Sequence, residues 1–172
     1  MAITEYLNPR IAKPVAIVLL LIITVVMMVQ LYQRGNANAW YYQVEYALND
    51  WSAAGAIPNE QAYRDTVAVI DKIVALDPNH PHYAHMKGRV LHWGVNGGFG
   101  SPAQLAEVKA WYVKATELRP TWPDPWADLA ILNHYIEGNT PETQFYLAQA
   151  QVAGPYIGLV MEAEKALNEK GR

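Results

Sequence analysis

The sequence predicts an all-α fold, with helical hairpins in tandem behind a single apolar N-terminal segment. Three observations lead there. A short phrase occurs twice, as Ala75-Leu76-Asp77-Pro78-Asn79-His80-Pro81 and as Glu117-Leu118-Arg119-Pro120-Thr121-Trp122-Pro123. In each copy a helical pattern runs into leucine, a proline stands two residues later, and a second proline stands where a new helix would start. Proline lacks the N–H that a helix interior needs yet fits the first helical turn, so a Pro-x-x-Pro elbow ends one helix and begins the next. Between such punctuation the apolar residues recur at helical spacing, and no convincing strand run is present. Ahead of all this, Pro14–Tyr32 is apolar apart from Thr24 and Gln30.

Size and composition bound the rest. The chain has 172 residues, 52% hydrophobic and 17% charged, which is too apolar for disorder. About 135 residues follow the apolar segment, enough for one domain with a real core. Formal net charge is −3 but uneven: Arg10, Lys13 and Arg34 against Glu5 make residues 1–34 net +2, leaving −5 for the rest. A mildly acidic body argues against nucleic acid as a partner. With no cysteine, disulfides, thiol catalysis and cysteine metal sites are excluded, and the compartment is left open.

Residues 14–32 read as a transmembrane helix. Nineteen residues rise about 28 Å, close to the hydrocarbon thickness of a bilayer, and the run is too long and uniform for a buried core helix. It is also longer than the usual hydrophobic region of a signal peptide. Cleavage remains an alternative, because Ala37-Asn38-Ala39 resembles an A-x-A site. Arg10 and Lys13 before the span outnumber Arg34 after it. The positive-inside rule then puts residues 1–13 in the cytoplasm and the C-terminal domain in the periplasm or outside the cell. Tyr32, Trp40, Tyr41 and Tyr42 fit either an interfacial aromatic belt or the start of a core. Residues 33–38, polar and containing Gly35, read as a linker to a domain over 39–172.

Helix signals partition that domain. Trp40, Val44, Ala47, Leu48 and Trp51 predict a helix over 39–54, broken at Gly55. Asn59 is an N-cap for a second helix that carries Tyr63, Val67, Ile70, Ile73 and Leu76 on its apolar side. The first elbow leads to a third, about 81–93, ending at Gly94. Ser101 with Gln104 is a capping box, and Pro102 suits the first turn of a fourth helix running to about Leu118. A fifth follows the second elbow to Glu137. Thr140 and Pro141 open a sixth, which ends before Gly154-Pro155, and a seventh covers about 156–169.

The elbows carry a family resemblance. Counting from Pro78 and Pro120, Gly88 falls on the small position of a first repeat helix, Tyr112 and Ala115 on the aromatic and small positions of a second. Trp126, Leu129 and Ala130 fall on the tryptophan, leucine and small positions that follow. Over roughly residues 59–150 the chain resembles a divergent tetratricopeptide (TPR) protein. TPR units take 34 residues, whereas Pro78 and Pro120 lie 42 apart. The Gly-rich stretch from Gly94 to Pro102 supplies the extra eight. Thr66 and Ile73 depart from the pattern by replacing small residues at the first elbow. The N-terminal anchor, the Arg-Pro-Thr-Trp-Pro phrase followed by Trp126-Ala127-Asp128-Leu129-Ala130, and the late Gly154-Pro155 are together similar to VpsP-family proteins. Those are small membrane-anchored proteins of bacterial exopolysaccharide biosynthesis systems. The resemblance implies an accessory role in polymer assembly or export and no catalytic residue.

The residues themselves show little chemistry. The Gly-rich loop follows a helix rather than a strand and contains no Gly-Lys-Ser/Thr, so it is no phosphate cradle. No G-x-S-x-G occurs. The carboxylate neighbours Glu60/Asp65 and Glu162/Glu164 read as solvated helix faces. His82, His85, Arg89 and His92 fall within roughly 80° of each other on one helix stripe. The resemblance implies that the first helix of each pair lines a concave groove. Counting from the elbows then makes His82, His85, Arg89, His92, Trp93, Ile131, His134 and Tyr135 the candidate binding residues, with Ala127 beside them. An always-charged arginine amid imidazoles suits an anionic partner, and protonation would strengthen that attraction as pH falls. A metal site is not expected, because Arg89 repels a cation and no carboxylate sits at ligand spacing. No cofactor is expected.

These readings converge on a non-enzymatic scaffold or adaptor in the bacterial inner membrane. It would have one span and protein partners in the cell envelope, and would serve exopolysaccharide biosynthesis or export. Two alternatives stay open: a scaffold for another envelope assembly (pilus, secretion or cytochrome maturation), and a polysaccharide-binding module in which Trp93, Trp122 and Tyr135 stack on sugar rings.

Overall fold

The computed structural model describes residues 9–169. The N-terminus expected over 1–13 therefore lies mostly outside the described residues. Among those described are seven α-helices and no strand: α1 Pro9–Ala54, α2 Glu60–Leu76, α3 Pro81–Asn96, α4 Leu105–Leu118, α5 Pro123–Glu137, α6 Pro141–Ala153 and α7 Gly158–Glu169. A 3₁₀ turn, Pro102–Gln104, leads into α4. The chain divides into two compact units, up to Asn36 and from Ala37 onward.

In the first unit α1 carries the apolar run. Its aliphatic side chains from Val15 to Leu31 are exposed. The helix is long and apolar enough to cross a membrane.

One expectation fails here. Residues 33–38 are helical, part of a single α1 of 46 residues, and not a linker before a separate helix. Gly35 costs a helix only about 1 kcal/mol relative to alanine, and asparagine less. No proline interrupts the run after Pro14, so strong helix formers on both sides carry it through. In the second unit Ala37 is fully buried, which helps to hold this stretch helical.

The second unit has two adjoining cores. Val44, Leu48 and Trp51 of α1 pack with Tyr63, Ile70 and Ile73 of α2 and with Tyr83, Met86 and Val90 of α3. Leu91, the next residue of α3, belongs to the other core, with Val108 and Tyr112 of α4, Leu129 and Leu132 of α5, Leu147 of α6 and Val160 and Leu167 of α7. Helix α3 thus serves both.

The caps form as the sequence predicts. Asn59 Oδ1 accepts from Ala62 N at 2.9 Å, Gln104 Oε1 from Ser101 N at 2.8 Å, and Thr140 Oγ1 from Thr143 N at 3.2 Å. Helix α3 runs past its expected end at Gly94. The turn comes at Gly98, whose φ of +77° is the left-handed conformation that glycine tolerates.

The elbows repeat in backbone detail. Asp77 has φ −142°, ψ 81° and Arg119 has φ −147°, ψ 80°; His80 and Trp122, just before the next helices, have φ −88°, ψ 119° and φ −94°, ψ 117°. A third elbow follows at Gly154 (ψ 80°), whose N–H bonds Ala150 O at 2.9 Å as Asp77 N bonds Ile73 O and Arg119 N bonds Ala115 O. Each of these three residues precedes a proline, which forces an extended backbone. Gly158 stands where the earlier elbows place Pro81 and Pro123.

Burial keeps the same register. Counting back 11, 7 and 4 residues from each elbow gives Thr66/Ile70/Ile73, Val108/Tyr112/Ala115 and Thr143/Leu147/Ala150, and all nine are buried. The second unit is therefore a helical-repeat array.

Helices α3 and α4 pack at glycine distance. A Cβ on Gly88 would lie 2.6 Å from Cδ1 and Cε1 of Tyr112, a ring only 1% exposed. Gly88→Ala should lower the unfolding free energy by about 1–3 kcal/mol, because the ring has nowhere to go. Chemical denaturation of the detergent-solubilised chain reads this, and an unchanged midpoint would mean that the two helices do not approach so closely.

Candidate functional site

Three adjoining cavities run along α3. The first, about 260 Å³, is lined by Tyr41, Glu45, His82, His85, Met86, Arg89, Trp122 and Asp124. The second, about 390 Å³, is lined by His85, Arg89, His92, Trp93, Asn96, Tyr112, Asp124, Asp128 and Leu159. The third, about 500 Å³, is lined by His92, Val95, Asn96, Leu105, Ile131, Leu132, Tyr135 and Ile136. His85, Arg89 and Asp124 are common to the first two, and His92 and Asn96 to the last two. The cavities therefore form one groove whose floor is α3, with α5 along one side.

Seven of the eight candidate residues lie in this groove. His85, 5% exposed, donates from Nε2 to Asp128 Oδ2 at 2.7 Å, and its ring meets Trp122 edge-on at 4.7 Å. His82 accepts from the Arg119 guanidinium at 3.2 Å and lies 4.1 Å from the Trp122 ring. His92 Nδ1 and the Tyr112 hydroxyl share a hydrogen bond at 3.3 Å. Trp93 packs against Trp51 at 6.4 Å, and Arg89 stands half-buried at the middle of the groove. Ile131 and Tyr135 line the third cavity.

His134 is the exception and corrects the expectation. It is 5% exposed, outside all three cavities, and neither ring nitrogen has a hydrogen-bond partner among the described residues. At 100° per residue it shares a face with Ala127 and Ala130, both fully buried. The face of α5 that meets the groove carries Asp124, Asp128, Ile131 and Tyr135, turned by roughly 45° from the face obtained by counting across from α3. Ala127 likewise belongs to the core.

That turn changes the electrostatics. Asp124 and Asp128 enter the groove, and Glu45 joins them from α1, against the guanidinium of Arg89 in the lining and that of Arg119 beside His82. The expected basic, anion-seeking surface is instead a mixed one with excess carboxylate. The offsets 0, 4, 7 and 11 from Asp124 to Tyr135 are a helical stripe that a reading of α5 on its own would find. Asn96 continues the His82–His92 stripe of α3, whereas Glu45 and Tyr112 reach the groove from α1 and α4, with no local signal.

Titration also differs from the simple expectation. Burial pushes the His82 pKa down, and the nearby charges of His80 and Arg119 push the same way. Burial also lowers that of His92, with Asp128 opposing. Burial holds the Tyr112 hydroxyl well above its usual value. His82 and His92 are therefore neutral near pH 7, and any gain of positive charge comes at lower pH than for a free imidazole.

The groove shows a His–Asp pair, but no serine, threonine or cysteine lines its cavities. Among the described residues no three His, Asp or Glu side chains converge as metal ligands.

No protein-family model and no curated protein matches the sequence. Among solved structures, a chain of one described as the CopN-Scc3 complex is similar, with a TM-score of 0.55 and 17% identity over 80% of this chain and 70% of that one. At that identity the likeness concerns fold, and it agrees with an all-α architecture. The chain is a helical-repeat protein with a long apolar N-terminal helix.

A histidine whose folded pKa lies below its unfolded value takes up a proton more readily when unfolded. Stability is then lost as pH falls below the unfolded value of about 6.5. His92→Gln keeps a partner for the Tyr112 hydroxyl and removes the titration. The difference in unfolding free energy between pH 7.5 and pH 5 should be smaller in this variant than in the parent chain. An identical pH dependence would show that His92 titrates alike in both states.

Proposed function

We propose that this chain is a non-enzymatic, membrane-anchored scaffold of the TPR type that holds a protein partner in the α3–α5 groove. One observation carries the reading. Arg89, half-buried, always charged and without an ion pair among the described residues, stands at the centre of a groove built on packed helices. A guanidinium in that setting gains from a partner group that completes its hydrogen bonds. Repeat arrays leave such surfaces broad and preformed. The resemblance of its sequence phrases to VpsP-family proteins supports placing the scaffold in bacterial exopolysaccharide biosynthesis or export. The distant likeness to a chain of a protein complex agrees with a protein partner.

A polysaccharide-binding module is the second reading, favoured by Trp93 and Asn96 in the groove. It is weakened at Trp122, where His82 already covers the ring at 4.1 Å.

The apolar part of α1 supplies the anchor in this proposal, with the repeat unit outside the cytoplasm. Alkaline phosphatase fused after Arg172 should be active in a Gram-negative host, and the mature chain should begin at Met1 or Ala2. An inactive fusion overturns the orientation, and an N-terminus at Trp40 overturns the anchor.

Replacing Arg89 and Trp93 together by alanine should abolish copurification of the partner, or polymer output, while far-UV circular dichroism keeps its helical signal. A folded and fully functional double variant would exclude the groove.

A further inference from the structure

We infer that the groove takes a short amphipathic peptide segment of the partner, with its apolar side chains in the third cavity and a basic side chain at the Glu45/Asp124 end. This rests on the protein-binding reading above and names the chemistry of the occupant.

The dimensions come from α3. From His82 to Asn96 the helix rises about 21 Å, the reach of about six extended residues. One end of that length is aliphatic, with Val95, Leu105, Ile131, Leu132 and Ile136 around a cavity of about 500 Å³. The other end is charged, with Glu45, Asp124 and Arg89 around about 260 Å³.

Charge selects the occupant. Glu45 and Asp124 are half-buried and neither has an ion pair among the described residues. Asp128 is already engaged by His85. Glu45, which accepts from the Tyr41 hydroxyl at 3.5 Å, Asp124 and Asp128 stand against the guanidiniums of Arg89 and of Arg119, the latter bonded to His82 at 3.2 Å, and leave a formal excess of one negative charge that one added cation balances. Partial burial lowers the effective dielectric there and strengthens the attraction. Arg89 and Asn96 stand either side of His92 and offer N–H donors to the carbonyls of an extended backbone.

A saccharide fits less well. It carries hydroxyls along its whole length, and five aliphatic side chains at one end would strip those hydroxyls of water without replacing the bonds. A nucleic acid would meet excess carboxylate.

The test uses the full chain in nanodiscs and fluorescein-labelled heptapeptide pools read by anisotropy. One pool carries Leu or Ile at two positions at one end and Lys or Arg at the other, synthesised in both chain directions. Matched pools replace the basic residue by Asp or Glu, or the apolar residues by Ser. Maltoheptaose and heptagalacturonic acid are tested as competitors and, labelled, as ligands.

The basic–apolar pools should bind about tenfold more tightly than either matched pool. The charge preference should shrink as salt is raised. It should disappear in the double variant Glu45→Gln/Asp124→Asn, while the preference for apolar residues survives. Ile136→Ser, at an exposed position, should weaken the apolar preference without unfolding the chain.

Equal or tighter binding of the acidic–apolar pools overturns the inference and leaves the groove a protein site. So does a charge preference that survives in the double variant. Binding of an oligosaccharide with none of the peptides overturns this inference and the protein-binding reading together. Binding of no probe overturns the inference alone if copurification of the partner still depends on Arg89 and Trp93.

Discussion

Asp77, Arg119 and Gly154 each precede a proline, and the extended backbone this imposes determines where α3, α5 and α7 begin. The steric conflict is local, between the proline ring and the residue before it, yet its consequences run the length of the repeat unit. With the same turn at each elbow, residues 11, 7 and 4 positions upstream meet the same environment, and all nine are buried. The core follows from that register. Gly88 lies under the Tyr112 ring because the helices on either side of the Gly-rich insertion still meet at the distance the elbows set. Eight extra residues between α3 and α4 are absorbed by lengthening α3 and by a loop folded back on itself, with Phe99 N and Gly100 N both bonded to Gly94 O.

The groove depends on that packing and on one long-range pair. His85 and Asp128 stand 43 residues apart and share a partly buried hydrogen bond at 2.7 Å. The bond ties α3 to α5 across the floor of the groove and occupies the carboxylate nearest its centre. What remains for a partner is Arg89 in the middle, Asp124 and Glu45 to one side and aliphatic side chains to the other. This surface has direction, since its two ends differ in kind.

Much of the fold was legible because its signals are local. Pro81 and Pro123 begin α3 and α5, Leu76 and Leu118 end α2 and α4, and Asn59, Ser101 and Thr140 cap as their side chains allow. Where the reading failed, distant packing had outweighed a weak local preference. Gly35 and Asn36 read as a linker, but α1 continues through them, and α3 continues through Gly94 to Asn96. The groove was legible along α3, where one stripe carries His82, His85, Arg89 and His92. It was misjudged on α5, where the groove face keeps Ile131 and Tyr135 but takes Asp124 and Asp128 in place of Ala127 and His134, which with Glu45 changes the sign of the groove's net charge. No local pattern in α3 shows that its histidine will face an aspartate 43 residues later.

Gly158 has a consequence of its own. At the other two elbows a proline fixes φ before the helix forms, so less conformational freedom is lost when α3 or α5 folds. Glycine at the start of α7 has the opposite effect, because its unfolded backbone has the most freedom to lose. Forming α7 therefore costs more backbone entropy at its first residue than forming α3 or α5 does. Leu159, the next residue, lines the central cavity. That entropic cost falls on the helix that closes one wall of the groove, whereas α3 and α5, which supply its floor and flank, begin with φ already fixed.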